Sequence, residues 1–156
     1  MAIKKIISQT QAYKIRQACK RRSQKVVFTN GCFDLLHRGH IEYLAKAKKL
    51  GNILMVALNS DKSVRRLKGP GRPVMKFEDR AFILAHLDMV DYIMSFASPT
   101  PHKLIARLLP DILVKGGDYK PGEIVGAEEV RQAGGEVKVL RYIKGRSTSK
   151  IIARFK

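Results

Sequence analysis

Acidic residues are scarce in this 156-residue chain: 13 Asp and Glu stand against 31 Lys and Arg, a formal net charge of +18 at pH 7. Cysteine is nearly absent. Cys19 and Cys32 form neither a metal-ligand spacing nor a disulfide framework, which fits a reducing compartment. No apolar run is long enough to span a membrane, and Ile6-Ile7 is too short for the core of a signal peptide, so a cytoplasmic protein with no membrane partner is expected. No cage of carboxylates suggests a resident metal. Also missing are a low-complexity tail and a basic motif interleaved with aromatics, so no specific nucleic-acid partner is expected either. The cations are scattered, as in Lys20-Arg21-Arg22, in Lys46, Lys48 and Lys49, and in Arg65, Arg66 and Lys68. They read as a solvated surface that attracts phosphorylated substrates.

The length fits one domain with a real core. Short apolar runs recur at Val26–Phe28, Ile53–Leu58, Tyr92–Met94, Ile112–Val114 and Val137–Leu140, and four of them are apolar enough to be covered on both faces. Helical patterns separate them: His40 to Leu50, Glu78 to Leu87, Pro101 to Leu109 and Glu128 to Ala133, with Gly51 and Gly134 as stops. Alternation of this kind predicts an α/β fold, a doubly wound parallel sheet of about five strands with flanking helices. Residues 1–24 read as a helical extension whose helix, Thr10 to Arg22, starts on a Thr10 cap; residues 25–156 read as the domain proper.

Polar motifs follow the C-terminal ends of the predicted strands: Thr29-Asn30-Gly31, Asn59-Ser60-Asp61, Lys115-Gly116-Gly117-Asp118 and Gly145-Arg146-Ser147-Thr148. In open α/β sheets that edge binds ligands, so these motifs predict one composite site. The run from Val26 to His40 passes from a strand through a Gly-containing turn into a helix opened by His37 and His40, an arrangement suited to an anion at a helix N-terminus. Spaced i, i+3, both imidazoles share a face if the helix begins near Leu36. Gly39 between them removes a side chain where a backbone or ligand needs close approach. Ser147 and Thr148 read as a second capped helix start and thus a second anion site, while Lys68 and Arg72 flank a flexible Gly69-Pro70-Gly71 segment.

His37-Arg38-Gly39-His40 resembles the His-x-Gly-His signature of the cytidylyltransferase-like nucleotidyltransferase superfamily. Leu67-Lys68-Gly69 with Arg72-Pro73, Glu78-Asp79-Arg80, Pro110 through Tyr119 and Ser147 through Ile151 make the chain similar to the bacterial D-glycero-β-D-manno-heptose 1-phosphate adenylyltransferases. The resemblance covers roughly Lys25 to the C-terminus. It implies a Rossmann-like sheet whose first and fourth strands flank the crevice, a form without a fused sugar kinase domain, and a homo-oligomer. The implied reaction is attack of a sugar 1-phosphate on the α-phosphorus of ATP, with pyrophosphate leaving and magnesium accompanying ATP, in ADP-heptose synthesis for lipopolysaccharide core.

By the same resemblance His37 and His40 are donors to the α-phosphate and its bridging oxygen. Lys68 and Arg72 close over the triphosphate or the sugar phosphate, unless they are an ordinary mobile basic loop. Arg80 faces substrate, unless it pairs with a carboxylate on its own helix. Arg146, Ser147 and Thr148 contact nucleotide phosphates. Gly116 and Asp118 lie by the adenine or ribose, and Thr29, Asn30, Gly31, Phe33 and Gly39 belong to the nucleotide site. Asp34 holds a ribose, an amide or a magnesium-bound water. One departure is Ala97-Ser98, where the heptose enzymes carry an acidic pair. The runner-up is a glycerol 3-phosphate cytidylyltransferase, which shares the His-x-Gly-His and Ser-Thr motifs. A basic nucleic-acid-binding domain with structural histidines is the alternative from another class, and it predicts steep salt dependence and no pyrophosphate release.

Overall fold

The computed structural model describes residues 2–141 and 143–155. Five parallel strands, β1 (Val26–Gly31), β2 (Ile53–Asn59), β3 (Tyr92–Phe96), β4 (Ile112–Gly116) and β5 (Glu136–Leu140), form one sheet in the order β3-β2-β1-β4-β5. Each strand begins where its apolar run begins or within one residue of it. Four of them extend past it, and in β1, β2 and β4 the extension places Thr29-Asn30-Gly31, Asn59 and Lys115-Gly116 within the strands rather than after them. Among the described residues seven α-helices connect and cover the sheet: α1 (Gln9–Arg21), α2 (Arg38–Lys48), α3 (Asp61–Lys68), α4 (Phe77–Ala85), α5 (His102–Leu108), α6 (Ala127–Gln132) and α7 (Thr148–Ala153). Among the described residues no helix is long and apolar enough to cross a membrane.

Strand periodicity divides the core in two. Val26, Phe28, Met55, Ala57, Met94 and Leu113 pack with α1, α5 and α6, whereas Val27, Leu54, Val56, Leu58, Ile112 and Val114 pack with α2 and α4. The sheet is thus buried on both faces, as parallel sheets require.

Two local expectations change. The first helix is capped by Ser8, not Thr10: the Gln11 N–H donates to Ser8 Oγ at 3.1 Å, and the Ser8 N–H donates to Gln11 Oε1 at 2.8 Å. That reciprocal pair needs Gln or Glu three residues after the cap, which Ser8 has and Thr10 lacks. Between β2 and the Gly69-Pro70-Gly71 segment stands a helix that the sequence patterns do not predict, α3, capped by Ser60, whose Oγ accepts the Ser63 N–H at 3.2 Å. Of its eight residues only Ser63 and Val64 are buried, and its Arg65, Arg66 and Lys68 read in the sequence as a solvated basic surface.

The N-terminal segment packs against the sheet. Ile7 N–H donates to Ile93 O of β3 at 2.8 Å, Ala12 and Cys19 of α1 are core residues, and Arg16 pairs with Asp111 at 2.9 Å. The decisive feature for function is the seam between β1 and β4. β1 pairs with β2 along all six residues, but with β4 only through Val27↔Ile112 and Phe28↔Leu113. Beyond that the two strands part, and a crevice opens at the point where the strand order reverses.

Candidate active site

The crevice encloses about 620 Å³ and is lined from β1 by Asn30 and Gly31, from the following turn by Cys32, Phe33 and Asp34, and from α2 and its cap by His37 and His40. Lys115, Gly116 and Gly117 close it from β4, Lys68 and Arg72 from the α3–α4 connection, and Arg146 through Ser149 from the start of α7. Residues of all four strand-end motifs meet in it.

His37 is itself the N-cap of α2, its Nδ1 accepting the Gly39 N–H at 3.1 Å. In a neutral ring that bond puts the proton on Nε2, which makes Nε2 the donor. The bond also explains Gly39. A Cβ there would lie 2.9 Å from His37 Cε1 and 3.0 Å from Nδ1, so the close approach it permits is that of the histidine ring. His40 stacks on His37 with ring centres 3.9 Å apart, and Phe33 stands 5.2 Å from the His40 ring on its way out of a left-handed turn. Gly31 allows that turn, since a Cβ would meet Phe33 Cε2 at 2.9 Å.

Burial, with the neighbouring His37 second, lowers the His40 pKa to about 4. Burial and the Arg146 charge lower that of His37. Both rings are therefore neutral near pH 7, able to donate hydrogen bonds without carrying charge. Among the described residues, His40 Nδ1 is buried without a hydrogen-bond partner. A ligand atom would supply one, and an unpaired buried polar atom is costly otherwise.

Cations supply the field. Lys68, Lys115 and Arg146 line the crevice and form no ion pair with a carboxylate among the described residues. Arg72 does: its Nε donates to Asp34 Oδ2 at 2.7 Å. The arrangement offers neutral donors and positive potential to a polyanion, the requirement of phosphoryl-group transfer.

A family model described as cytidylyltransferase-like matches residues 28–154. The chain belongs to the cytidylyltransferase-like family. Its curated relatives include the bifunctional protein HldE of Aeromonas hydrophila subsp. hydrophila, 58% identical over 147 residues, and that of Vibrio cholerae serotype O1, 52% identical over 151 residues. The alignments take in 94% and 97% of this chain but 31% and 32% of those proteins, so the chain spans less than a third of their length. Among solved structures it is similar to a lipopolysaccharide core biosynthesis protein from Thermoplasma volcanium, with a TM-score of 0.64 and 28% identity over 79% of this chain and 99% of that one. Pantoate-beta-alanine ligase from Francisella tularensis, at 18% identity and a TM-score of 0.62 over 92% of this chain and 68% of that one, shares the fold.

Against this nucleotidyltransferase frame, several predicted site residues land elsewhere. Arg80 is 1% exposed and lines no part of the crevice. It donates to Cys32 O at 2.6 Å, Asn59 O at 2.9 Å, Met75 O at 3.1 Å and Asp61 Oδ1 at 2.7 Å, tying the ends of β1 and β2 to the α3–α4 connection. It positions the rim instead of facing substrate. Its carboxylate partner is on α3, not on its own helix. Thr29 is fully buried, its hydroxyl 2.6 Å from Tyr43 Oη, which in turn donates to Val114 O at 3.3 Å; it joins β1, α2 and β4.

Asp34 lines the crevice, but its carboxylate accepts from Arg72 and from the Val74 and Met75 N–H groups at 2.9 Å, and so holds the α3–α4 connection in place. Burial opposes its ionisation, yet these donors keep its pKa below the usual carboxylate range. Asp118 is exposed and outside the lining, while Gly116 is in it. Ser147 caps α7, accepting the Lys150 N–H at 3.2 Å, and Thr148 donates to Leu35 O at 3.0 Å, so both hydroxyls brace α7 beside the histidines. Lys115 also lines the crevice, although it is not among the site residues expected from the sequence. Its signal was there, a lysine inside a strand otherwise apolar, at the ligand-binding edge.

Proposed function

We propose that this chain transfers AMP from ATP to D-glycero-β-D-manno-heptose 1-phosphate, giving ADP-heptose and pyrophosphate for lipopolysaccharide core synthesis. The observation that carries the reading is the neutral, stacked His37–His40 pair at the start of α2, beside the Arg146 cation and inside the crevice at the β1–β4 seam. The resemblance to the heptose enzymes and the relatives at 50% identity and above support the choice of acceptor.

An oxygen of the acceptor phosphate attacks the α-phosphorus of ATP, forming a P–O bond. The bond from that phosphorus to the bridging oxygen breaks, and its electron pair leaves on pyrophosphate. The nucleophile is already an anion, so no base is required. His37 Nε2–H donates to the α-phosphate oxygens, His40 to the bridging oxygen, and Arg146 and Lys68 balance the charge of the triphosphate. These donors are fixed before reaction by the α2 cap and the ring stack, which is how such groups lower a barrier. Asp34 and Arg80 hold the rim that carries Lys68 and Arg72.

Magnesium enters with ATP as part of the substrate. Of the two lining carboxylates, Asp34 is committed to Arg72 and two N–H groups, and the described residues hold no cluster of three or more candidate ligands. No step is assigned to the ion. Action in the cytoplasm as a homo-oligomer belongs to the same reading; Phe82 and Ile83, exposed on α4, are apolar surface available for self-association.

Pyrophosphate release measured with ATP and CTP against heptose 1-phosphate, other sugar 1-phosphates and glycerol 3-phosphate tests the proposal. Release with ATP and heptose 1-phosphate is expected. Preference for CTP with glycerol 3-phosphate would move the chain to the cytidylyltransferases, and salt-dependent nucleic-acid binding without any release would sink the enzymatic reading.

A further inference from the structure

The crevice has two sides, divided by the edge of the sheet. His37 and His40 stand at the start of α2, whose Tyr43, Leu44 and Ala47 pack on one face. Asn30 follows Val26 and Phe28 at the strand period of two, and Lys115 follows Leu113, so both project from the other face, the one covered by α5 and α6. There Phe96, Leu113 and Ile124 give the crevice an apolar wall, and Glu123, the lining carboxylate other than Asp34, stands beside it. The proposed reaction uses neither Lys115 nor this wall.

Lys115 is set apart from the other crevice cations. Its ammonium has Asn30 Oδ1 at 3.4 Å and the Tyr119 ring centre at 5.6 Å, and among the described residues no carboxylate pairs with it. It is partly buried on the floor of the crevice, and burial lowers its pKa while a neighbouring Cys32 opposes the shift. A lysine drawn out of water without a counter-charge stabilises an incoming anion more than an exposed one does. In an in-line displacement the attacking and leaving oxygens lie on opposite sides of phosphorus. With ATP held from the α2 face, the attacking oxygen arrives from the α5–α6 face, through the gap where β1 and β4 part.

Resting on the adenylyltransferase reading above, we infer that the lobe under α5 and α6 takes the acceptor sugar phosphate and that Lys115 binds that acceptor's phosphate group. Lys115 thereby sets the affinity for a phosphorylated over an unphosphorylated sugar, while the histidine lobe holds the nucleotide. Glu123 accepts hydroxyls of the sugar body across the apolar wall.

The test is Lys115→Gln, with Lys115→Arg beside it. Removing one charged hydrogen bond to the acceptor raises its KM by roughly 10- to 100-fold, while the Kd for ATP alone, read by calorimetry, stays as in the wild type. Lys115→Arg is expected to recover part of the loss. Thermal melting of Lys115→Gln at or above the wild-type temperature shows that the fold is intact, because the variant removes a poorly solvated charge; Lys115→Met serves in its place if it melts lower. An unchanged acceptor KM, or an equal loss of ATP affinity, overturns the assignment. If the wild-type protein uses no sugar 1-phosphate with ATP, the adenylyltransferase reading falls by itself. Inorganic phosphate titrated onto protein saturated with a non-hydrolysable ATP analogue still reads Lys115: weaker phosphate binding in Lys115→Gln upholds its role, and equal binding overturns it.

Discussion

At the N-terminal edge of the sheet, Asp111 accepts the N–H of Val26 at 2.8 Å and pairs with Arg16 of α1, and Asp91 accepts the N–H of Leu54 at 2.7 Å and pairs with Lys48 of α2 at 2.6 Å. At the C-terminal edge, Lys68, Lys115 and Arg146 face open space with no carboxylate against them among the described residues. The same residue types serve opposite ends. At one edge each carboxylate joins a strand start to a helix cation and holds the layers together. At the other, Asp34 and Asp61 are turned away to Arg72 and Arg80 of the rim, and the crevice cations keep their field for a ligand. With 13 acidic residues against 31 basic ones, the chain cannot pair every cation. The contrast shows where the scarce carboxylates stabilise and where the surplus cations act.

The strongest way to break this contrast is at the crevice. His40→Ala should lower turnover by roughly 100- to 1,000-fold, the usual cost of one preorganised donor, with a melting temperature close to the wild type, both followed in a pyrophosphate-release assay and a thermal melt. Near-normal turnover would remove the histidines from the chemistry. His37→Ala should lose as much turnover and, in addition, some stability, because it also removes the cap of α2.

A second measurement uses pH. The His40 pKa is about 4 in the folded protein against 6.5 ordinarily, so protonation favours the unfolded chain. The stability this neutral ring allows is complete above pH 6.5 and declines as pH falls towards 4. Between pH 7 and pH 5 the loss is about 2 kcal/mol, measured by urea unfolding. His40→Asn should flatten that slope, and an unchanged slope would mean that another group carries it.

At the opposite edge, Asp111→Asn should cost about 1 to 2 kcal/mol of unfolding free energy and leave the KM values for both substrates alone. A change in acceptor KM would show that the two edges are coupled. The smallest effect is expected from Lys46→Gln combined with Lys49→Gln on the surface of α2. Screening at physiological ionic strength, with a Debye length of about 8 Å, should leave turnover almost unchanged, and capture of the anionic substrates should slow only at low salt. Lys48 is excluded from that pair because it holds Asp91 and the carbonyl of Asn52.

Sequence legibility followed the range of the interaction. The five strands and six of the seven α-helices are legible because burial on both faces leaves apolar runs, and helices leave periodic runs or capping motifs. α3 is not, since its Arg65, Arg66 and Lys68 read in the sequence as part of a scattered basic surface. His37, His40 and Arg146 line the crevice, and the strand–turn–helix motifs that carry them are legible because each is completed within a few residues.

The sequence by itself determined the alternation of strand and helix, the edge that carries the polar motifs and the surplus of positive charge, all of which depend on neighbours a few residues apart. Tertiary structure decided what each polar side chain does there. Whether Arg80 faces a substrate or four rim oxygens depends on Cys32, Asn59, Asp61 and Met75, which converge on it only in the fold. Whether Lys115 is neutralised depends on which carboxylates fall within reach, and none among the described residues does. Hydrogen bonds and charges act through space over a few ångströms, and only the packed sheet brings residues 85 positions apart, such as Asn30 and Lys115, to that distance.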